Sequence, residues 1–282
     1  MDRIRQAVSR AKVATPPKQE APAAPVQSRP AAVDLARPNQ VDAPDAVTEA
    51  TSPLNLPVFQ ADQEVCEGNR VIANEQDPVL SAYRVLRTRV LQRMEKNNWR
   101  TLGLVSPTSG AGKTVTAVNL AIAVGSKQGS RATLADFDFY RPRVAEYLGL
   151  KNPPSILDFM EGKKSLREIA LHASMSDVVL LANERVSRRG AEYLTSPKVE
   201  ELFEAALTDF QSRIVICDLP PLLGCDDTIS FLPKVDCALV VTASDDTKTD
   251  ELAEAKKLLG TTPIVGTILN KAPIGYTANP YY

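Results

Sequence analysis

The sequence predicts an α/β fold, a mostly parallel central sheet flanked by helices on both faces. Two observations predict it. From residue 101 onward, short apolar runs alternate with helical stretches. Those runs are nearly continuous in apolar character, as in strands buried on both faces, instead of alternating inward and outward.

The elements follow in chain order. Residues 1–60 hold nine of the 21 prolines, no glycine and one aromatic, Phe59. Such a stretch buries too little apolar area to offset chain entropy, so 1–60 is expected to be a disordered N-terminal segment, with a linker over roughly 15–60. Within it, Ile4, Val8 and Ala11 share a helical face ringed by Arg3, Arg5, Arg10 and Lys12, which suits a short docking helix over 1–13. The remaining 61–282 form the expected globular domain. A helix is expected from Pro78 to about Asn97, capped by Asp77. Its apolar face carries Val79, Leu80, Tyr83, Leu86, Val90, Leu91 and Met94, and its solvent side carries Arg84, Arg87, Arg89 and Arg93. Strands are expected over 101–106, 131–136, 178–182, 213–217, 237–243 and 264–269, and helices over 113–126, 197–209 and 247–259. His172 is placed in a helical stretch, and Trp99 against the sheet.

Composition excludes several classes. With 33 Lys+Arg against 34 Asp+Glu, no general basic charge favours nucleic acid, and none is expected as a partner. Aromatics are 5% of the chain, too few for base-stacking platforms. No apolar run is long enough for a membrane helix, and the basic start lacks the apolar stretch of a secretory signal. The four cysteines lack CxxC spacing and read as reduced thiols, so a cytoplasmic location is expected.

In open parallel sheets, ligands bind beyond the carboxyl ends of the strands, so chemistry is sought there. The first of these strands runs into SPTSGAGKT, residues 106–114, and then a helix. Gly110 and Gly112 let the backbone curl so that N–H groups of Ser109, Gly110, Ala111 and Gly112 face a phosphate. Lys113 reaches the outer phosphates, and Thr114 offers its hydroxyl to Mg²⁺. The helix start adds its positive dipole end. The next strand ends in Asp136-Phe-Asp138. One acid of this pair can order a metal-bound water and the other can take a proton from an attacking hydroxyl. A further strand ends in Asp218 before Pro220-Pro221, the usual place of a second metal-side carboxylate. The last strand ends in Asn270, whose amide suits an adenine edge.

The SPTSGAGKT loop, the ADFDFYRP segment, the IVICDLPP segment and the closing TILNK together resemble the bacterial tyrosine kinase family, a branch of the ParA/MinD-like P-loop ATPases. The resemblance covers about residues 65–282. It implies Mg-ATP as cofactor and autophosphorylation on a C-terminal tyrosine cluster, here Tyr276, Tyr281 and Tyr282. It also implies a role in exopolysaccharide or capsule synthesis, with a membrane copolymerase or chain-length regulator as a separate activating partner that recruits the kinase to the inner membrane face. Lys113, Asp136 and Asp138 are the expected catalytic residues, with Asp136 the proton acceptor; Thr114, Asp138 and Asp218 are the expected metal ligands. A short tail suggests a homo-oligomer in which one subunit phosphorylates its neighbour. Two positions depart from the family pattern. Ser81 stands where the ExxRxxR motif has its acid, before Arg84 and Arg87, and Tyr140 stands for the first arginine after the acidic pair. These departures motivate an alternative, a regulatory or positioning ATPase without kinase activity. Thr108, where partition ATPases carry an extra lysine, points away from that branch.

Overall fold

The structure is a computed structural model that describes residues 47–51, 53–74 and 76–273. The expected docking helix and the three C-terminal tyrosines lie outside the described residues. The elements are β1 (Val47–Thr51), β2 (Pro57–Phe59), α1 (Gln63–Gly68), α2 (Val79–Lys96), β3 (Thr101–Val105), α3 (Lys113–Gly125), β4 (Ala132–Asp136), α4 (Val144–Tyr147), α5 (Ile156–Met160), α6 (Leu166–Ile169), β5 (Ala170–Ala173), β6 (Val178–Leu181), α7 (Gly190–Thr195), α8 (Lys198–Thr208), β7 (Ile214–Asp218), α9 (Asp227–Phe231), β8 (Cys237–Ala243), α10 (Thr249–Leu258) and β9 (Ile264–Asn270).

The strands form one nine-stranded sheet in the order β1-β2-β5-β6-β4-β7-β3-β8-β9. From β6 to β9 every neighbouring pair is parallel. Every residue of β3, β4, β7 and β8 is buried, because helices cover both faces. On one face, Leu80, Val90, Leu91 and Met94 of α2 join the apolar side of α3 in a core with Leu102, Leu134 and Ile216. On the other, Val199, Leu202, Phe203 and Ala206 of α8 and Phe231 of α9 pack with Val105, Val215 and Cys217. Each fully buried Leu, Ile or Phe of these layers contributes about 1.5–3 kcal/mol relative to exposure. The parallel sheet with helices on both faces is the fold class the sequence predicts.

Helix α2 starts as expected: the Asp77 carboxylate accepts from the Val79 N–H at 2.8 Å. Its arginines divide differently. Arg84 and Arg89 face solvent, but Arg87 donates to the Ala123 carbonyl of α3 at 2.8 Å and Arg93 to the Val265 carbonyl at 3.1 Å. Long arginine stems lie along the neighbouring element while their heads find carbonyls, so α2 is tied to the helix that follows the Gly-rich loop.

Two further differences concern the sheet's edge. β1 and β2 fall inside the stretch that composition assigns to the linker. Pro57 can open a strand because a first residue need not donate, and Leu56 and Phe59, both almost fully buried, anchor the segment in opposite cores. His172 lies on β5, not on a helix; its Nε2 is 3.0 Å from Asp177 Oδ1. β5 is short and pairs β2 in parallel and β6 in antiparallel fashion, a placement fixed by neighbours distant in sequence.

Candidate active site

β3, β4 and β7 are adjacent in the sheet, with β9 two positions from β3, so the segments leaving their carboxyl ends converge at one edge. They border a cavity of about 1240 Å³. Its wall includes Ser109, Gly110, Ala111, Gly112, Lys113, Thr114, Asp138 and Asn270.

The loop between β3 and α3 has the shape its glycines predict. Gly110 and Gly112 both have φ of 86°, a left-handed conformation costly for other residues. At Gly112 a Cβ would also overlap the Asn270 amide nitrogen. Asn270 donates to the Ala111 carbonyl at 2.9 Å. The amide expected at an adenine edge thus holds the loop itself, fixing its curl from the end of β9. The thirteen-residue helix α3 begins at Lys113 and presents its N-terminal amides to the same space.

Asp218 closes β7 beneath the loop. Its carboxylate lies 2.8 Å from Lys113 Nζ and accepts from the Thr114 hydroxyl at 2.6 Å. Both members of the ion pair are buried, with side chains 7% and 1% exposed. A pair this dry persists only with good geometry and further hydrogen bonds, which Thr114 supplies.

The two acids after β4 part ways. Asp136 is fully buried, does not line the cavity, and accepts from the Val144 N–H at 3.1 Å and the Asp138 N–H at 3.2 Å. Burial, reinforced by the Asp218 charge, pushes its carboxyl well above the usual range. Asp138 lines the cavity and accepts from the Arg141 N–H at 2.9 Å. Burial raises it too, with Lys113 opposing the shift. On an extended chain two acids two residues apart would share one side. The chain turns after β4 instead, and only Asp138 faces the cavity.

The donors around the loop are hard oxygens: the Thr114 hydroxyl and the Asp218 and Asp138 carboxylates. That chemistry suits Mg²⁺. Among the described residues no three carboxylate, thiol or imidazole side chains converge to hold an ion alone.

One residue escapes the sequence reading. Asn119, fully buried on α3, accepts from the Ile72 N–H at 2.8 Å and donates to the Arg70 carbonyl at 2.9 Å. It clamps 70–72 along the cavity, where Arg70 and Val71 form wall. A lone amide inside the apolar run VNLAIAV was the available signal, because a buried Asn needs partners.

Residues 97–274 match the ParA family, described as NUBPL iron-transfer P-loop NTPase. The chain belongs to this family of P-loop NTPases. Nucleotide binding is therefore its family property. EpsB of Ralstonia solanacearum, provisionally named a tyrosine-protein kinase, is 28% identical over 183 residues, 65% of this chain and 24% of its own length. Tyrosine-protein kinase YwqD of Bacillus subtilis is 27% identical over 190 residues, 67% of this chain and 79% of its own. The chain thus spans about a quarter of the length of the first relative. Among solved structures, the kinase domain of Escherichia coli tyrosine kinase ETK superposes with a TM-score of 0.64 at 23% identity, over 72% of this chain and 80% of that one; at that identity the likeness shows the fold. The relatives carry the name of the group that the P-loop NTPase motifs of this chain resemble. Among the described residues no helix is long and apolar enough to cross a membrane.

Proposed function

We propose that this chain is an ATP-dependent protein-tyrosine kinase that phosphorylates C-terminal tyrosines Tyr276, Tyr281 and Tyr282, within exopolysaccharide or capsule production. The observation that carries the reading is the cavity edge itself: a loop curled for phosphate, a buried lysine, and a cavity-facing carboxylate whose raised pKa suits proton transfer. Kinases matched by sequence supply the substrate class.

In this reading the loop amides and the start of α3 bind the nucleotide phosphates. Lys113 leaves Asp218 to neutralise the charge that develops on the transferred group. Thr114 and Asp218 would hold Mg²⁺, with Asp138 beside them. When bound, the ion neutralises charge on the phosphate oxygens. The acceptor's phenol proton goes to Asp138, the acid of the pair that faces the cavity, and Asp136 holds the turn through two backbone N–H groups. The globular domain works at the cytoplasmic membrane face, recruited by a membrane chain-length regulator. One subunit modifies its neighbour's tail, and the residues that precede β1 serve as linker and docking segment.

A second reading, a regulatory ATPase without kinase activity, draws on Ser81. Its hydroxyl donates to the Pro78 carbonyl of its own helix, so no acid projects from that position of α2. Detection of phosphotyrosine after incubation with Mg-ATP and a membrane activator separates the two. The kinase reading expects signal in the wild type and its loss in Lys113→Met. ATP turnover with no phosphotyrosine would favour the second.

A further inference from the structure

We propose that the outer edge of β9 is a docking site for this chain's own residues 274–279, which add to the sheet there as a further strand, antiparallel to β9. The inference is independent of the kinase reading.

β9 is the last strand of the sheet and pairs only with β8, in parallel. Two carbonyls fix which way its residues point. Ile268 accepts from the Thr242 hydroxyl at 2.9 Å and Asn270 from the Ser244 N–H at 2.8 Å, so both face β8. Successive residues of a strand turn their N–H and C=O groups to opposite sides, so those of Thr267 and Leu269 point outward. They have no partner among the described residues. Nearer the start of the strand, the Val265 carbonyl is taken by Arg93 of α2 at 3.1 Å. The edge is therefore closed at its beginning and open at its end.

An open edge is a template for another strand, and natural edges are blunted by charge or proline or are covered. Residues 264–270, IVGTILN, hold neither a charge nor a proline. Leu269 is 55% exposed, an apolar side chain at the open end of the strand. The composition is that of a strand with a neighbour on each side.

The two ends of β9 decide the occupant. A two-fold β9–β9 pairing of two copies centred on Thr267 would set Leu269 against Val265, whose carbonyl Arg93 already holds. A strand entering from the Asn270 end needs only Leu269 and Thr267, and residues 274–279 enter from that end. Lys271 has φ of 57°, the left-handed conformation of hairpin turns, and its Nζ is held by Asp246 at 3.1 Å. Residues 271–273 have the length of a hairpin loop. A connection of that length sets Thr277 opposite Thr267, where the two exchange N–H···O bonds. Ile274, Tyr276 and Thr277 are strand formers, and 274–279 carry no charge. Pro280 has no N–H, so pairing stops before it. So short a tether holds the segment at an effective concentration on the order of millimolar, which a separate copy does not match in dilute solution. Asn270 and Lys271 border the cavity, so a segment running back along β9 leads Tyr281 and Tyr282 away from it.

The test is hydrogen exchange of the full chain without nucleotide, read by NMR at the Thr267 and Leu269 amides. Outward amides with no partner exchange almost as fast as in an open chain. With the segment docked, both are expected to be slowed about tenfold or more, equally in dilute and in concentrated protein. Thr277→Pro removes one N–H from the docking segment and none from β8 or β9. It should return both amides to the fast rate, while the Val240 amide of the buried strand β8 stays protected. Fast exchange at both amides in the wild type, or slow exchange that survives Thr277→Pro, would overturn the proposal. Protection that grows with protein concentration would assign the edge to a second copy and overturn it as well.

Discussion

Two groups of carboxylates on this protein titrate in opposite directions. At the carboxyl edge of the sheet, burial pushes Asp136 and Asp138 up although Lys113 is close by. At the end of α5, Glu161 is pulled down to about 2, first by Lys163 and then by Arg185 and Tyr193. The Lys163, Tyr193 and Arg185 partners lie at 2.7, 3.0 and 3.1 Å. Both clusters contain cations. What separates them is the balance of the two effects: Glu161 loses part of its hydration but gains Lys163, Arg185 and the Tyr193 hydroxyl, which more than replace it, whereas the sheet-edge acids lose hydration that one lysine, already paired with Asp218, does not replace. The first cluster is electrostatically complete. The second lacks such compensation, as expected of the phosphate and cation site in the proposed reading.

The comparison is broken most forcefully at the buried pair. Asp218→Ala leaves the Lys113 charge buried without a partner, and a loss of about 3–5 kcal/mol in urea denaturation is expected. A loss under about 1 kcal/mol would place the pair with ordinary surface bridges. Asp136 sharpens it through pH. Its folded pKa lies above its unfolded value of about 3.9, so the folded state binds the extra proton and stability falls as pH rises between the two values. The slope reaches at most about 1.4 kcal/mol per pH unit. Asp136→Asn should flatten that part of the profile; an unchanged slope would show that Asp136 is not its source. Gly112→Ala should cost about 1–2 kcal/mol for the left-handed backbone alone and should weaken ATP binding further by displacing Asn270, read by calorimetry. Glu161→Gln is the small control, within about 1 kcal/mol at neutral pH. Its contribution has the opposite sign of Asp136: present above the unfolded value and lost as pH falls through about 2. Wild type and variant should therefore converge in acid.

The same contrast explains what the sequence made legible. The loop 106–114 is local, since its glycines, lysine and threonine are set by spacing between a strand and a helix, and Asp218 is found by ending an apolar strand. Such features are encoded within a few residues. The different fates of Asp136 and Asp138 are not, because they depend on how the chain turns toward Val144 and what covers it. Asn270 illustrates the same limit: its place at a strand end was readable, but its bond to the Ala111 carbonyl joins positions distant in sequence. The edge strands β1, β2 and β5 were hidden for a related reason. They are short, and long-range pairing stabilises them more than their own composition.

The central proposal is phosphoryl transfer at the sheet edge with Asp138 as proton acceptor. Mass spectrometry of the 271–282 peptide, released from protein incubated with Mg-ATP, tests it directly when wild type is set against Asp138→Asn. Phosphotyrosine is expected in the wild type and about 10²-fold or more less in the variant, with ATP still bound by both. Equal phosphorylation of the two proteins, or none in the wild type while ATP binds, would contradict it.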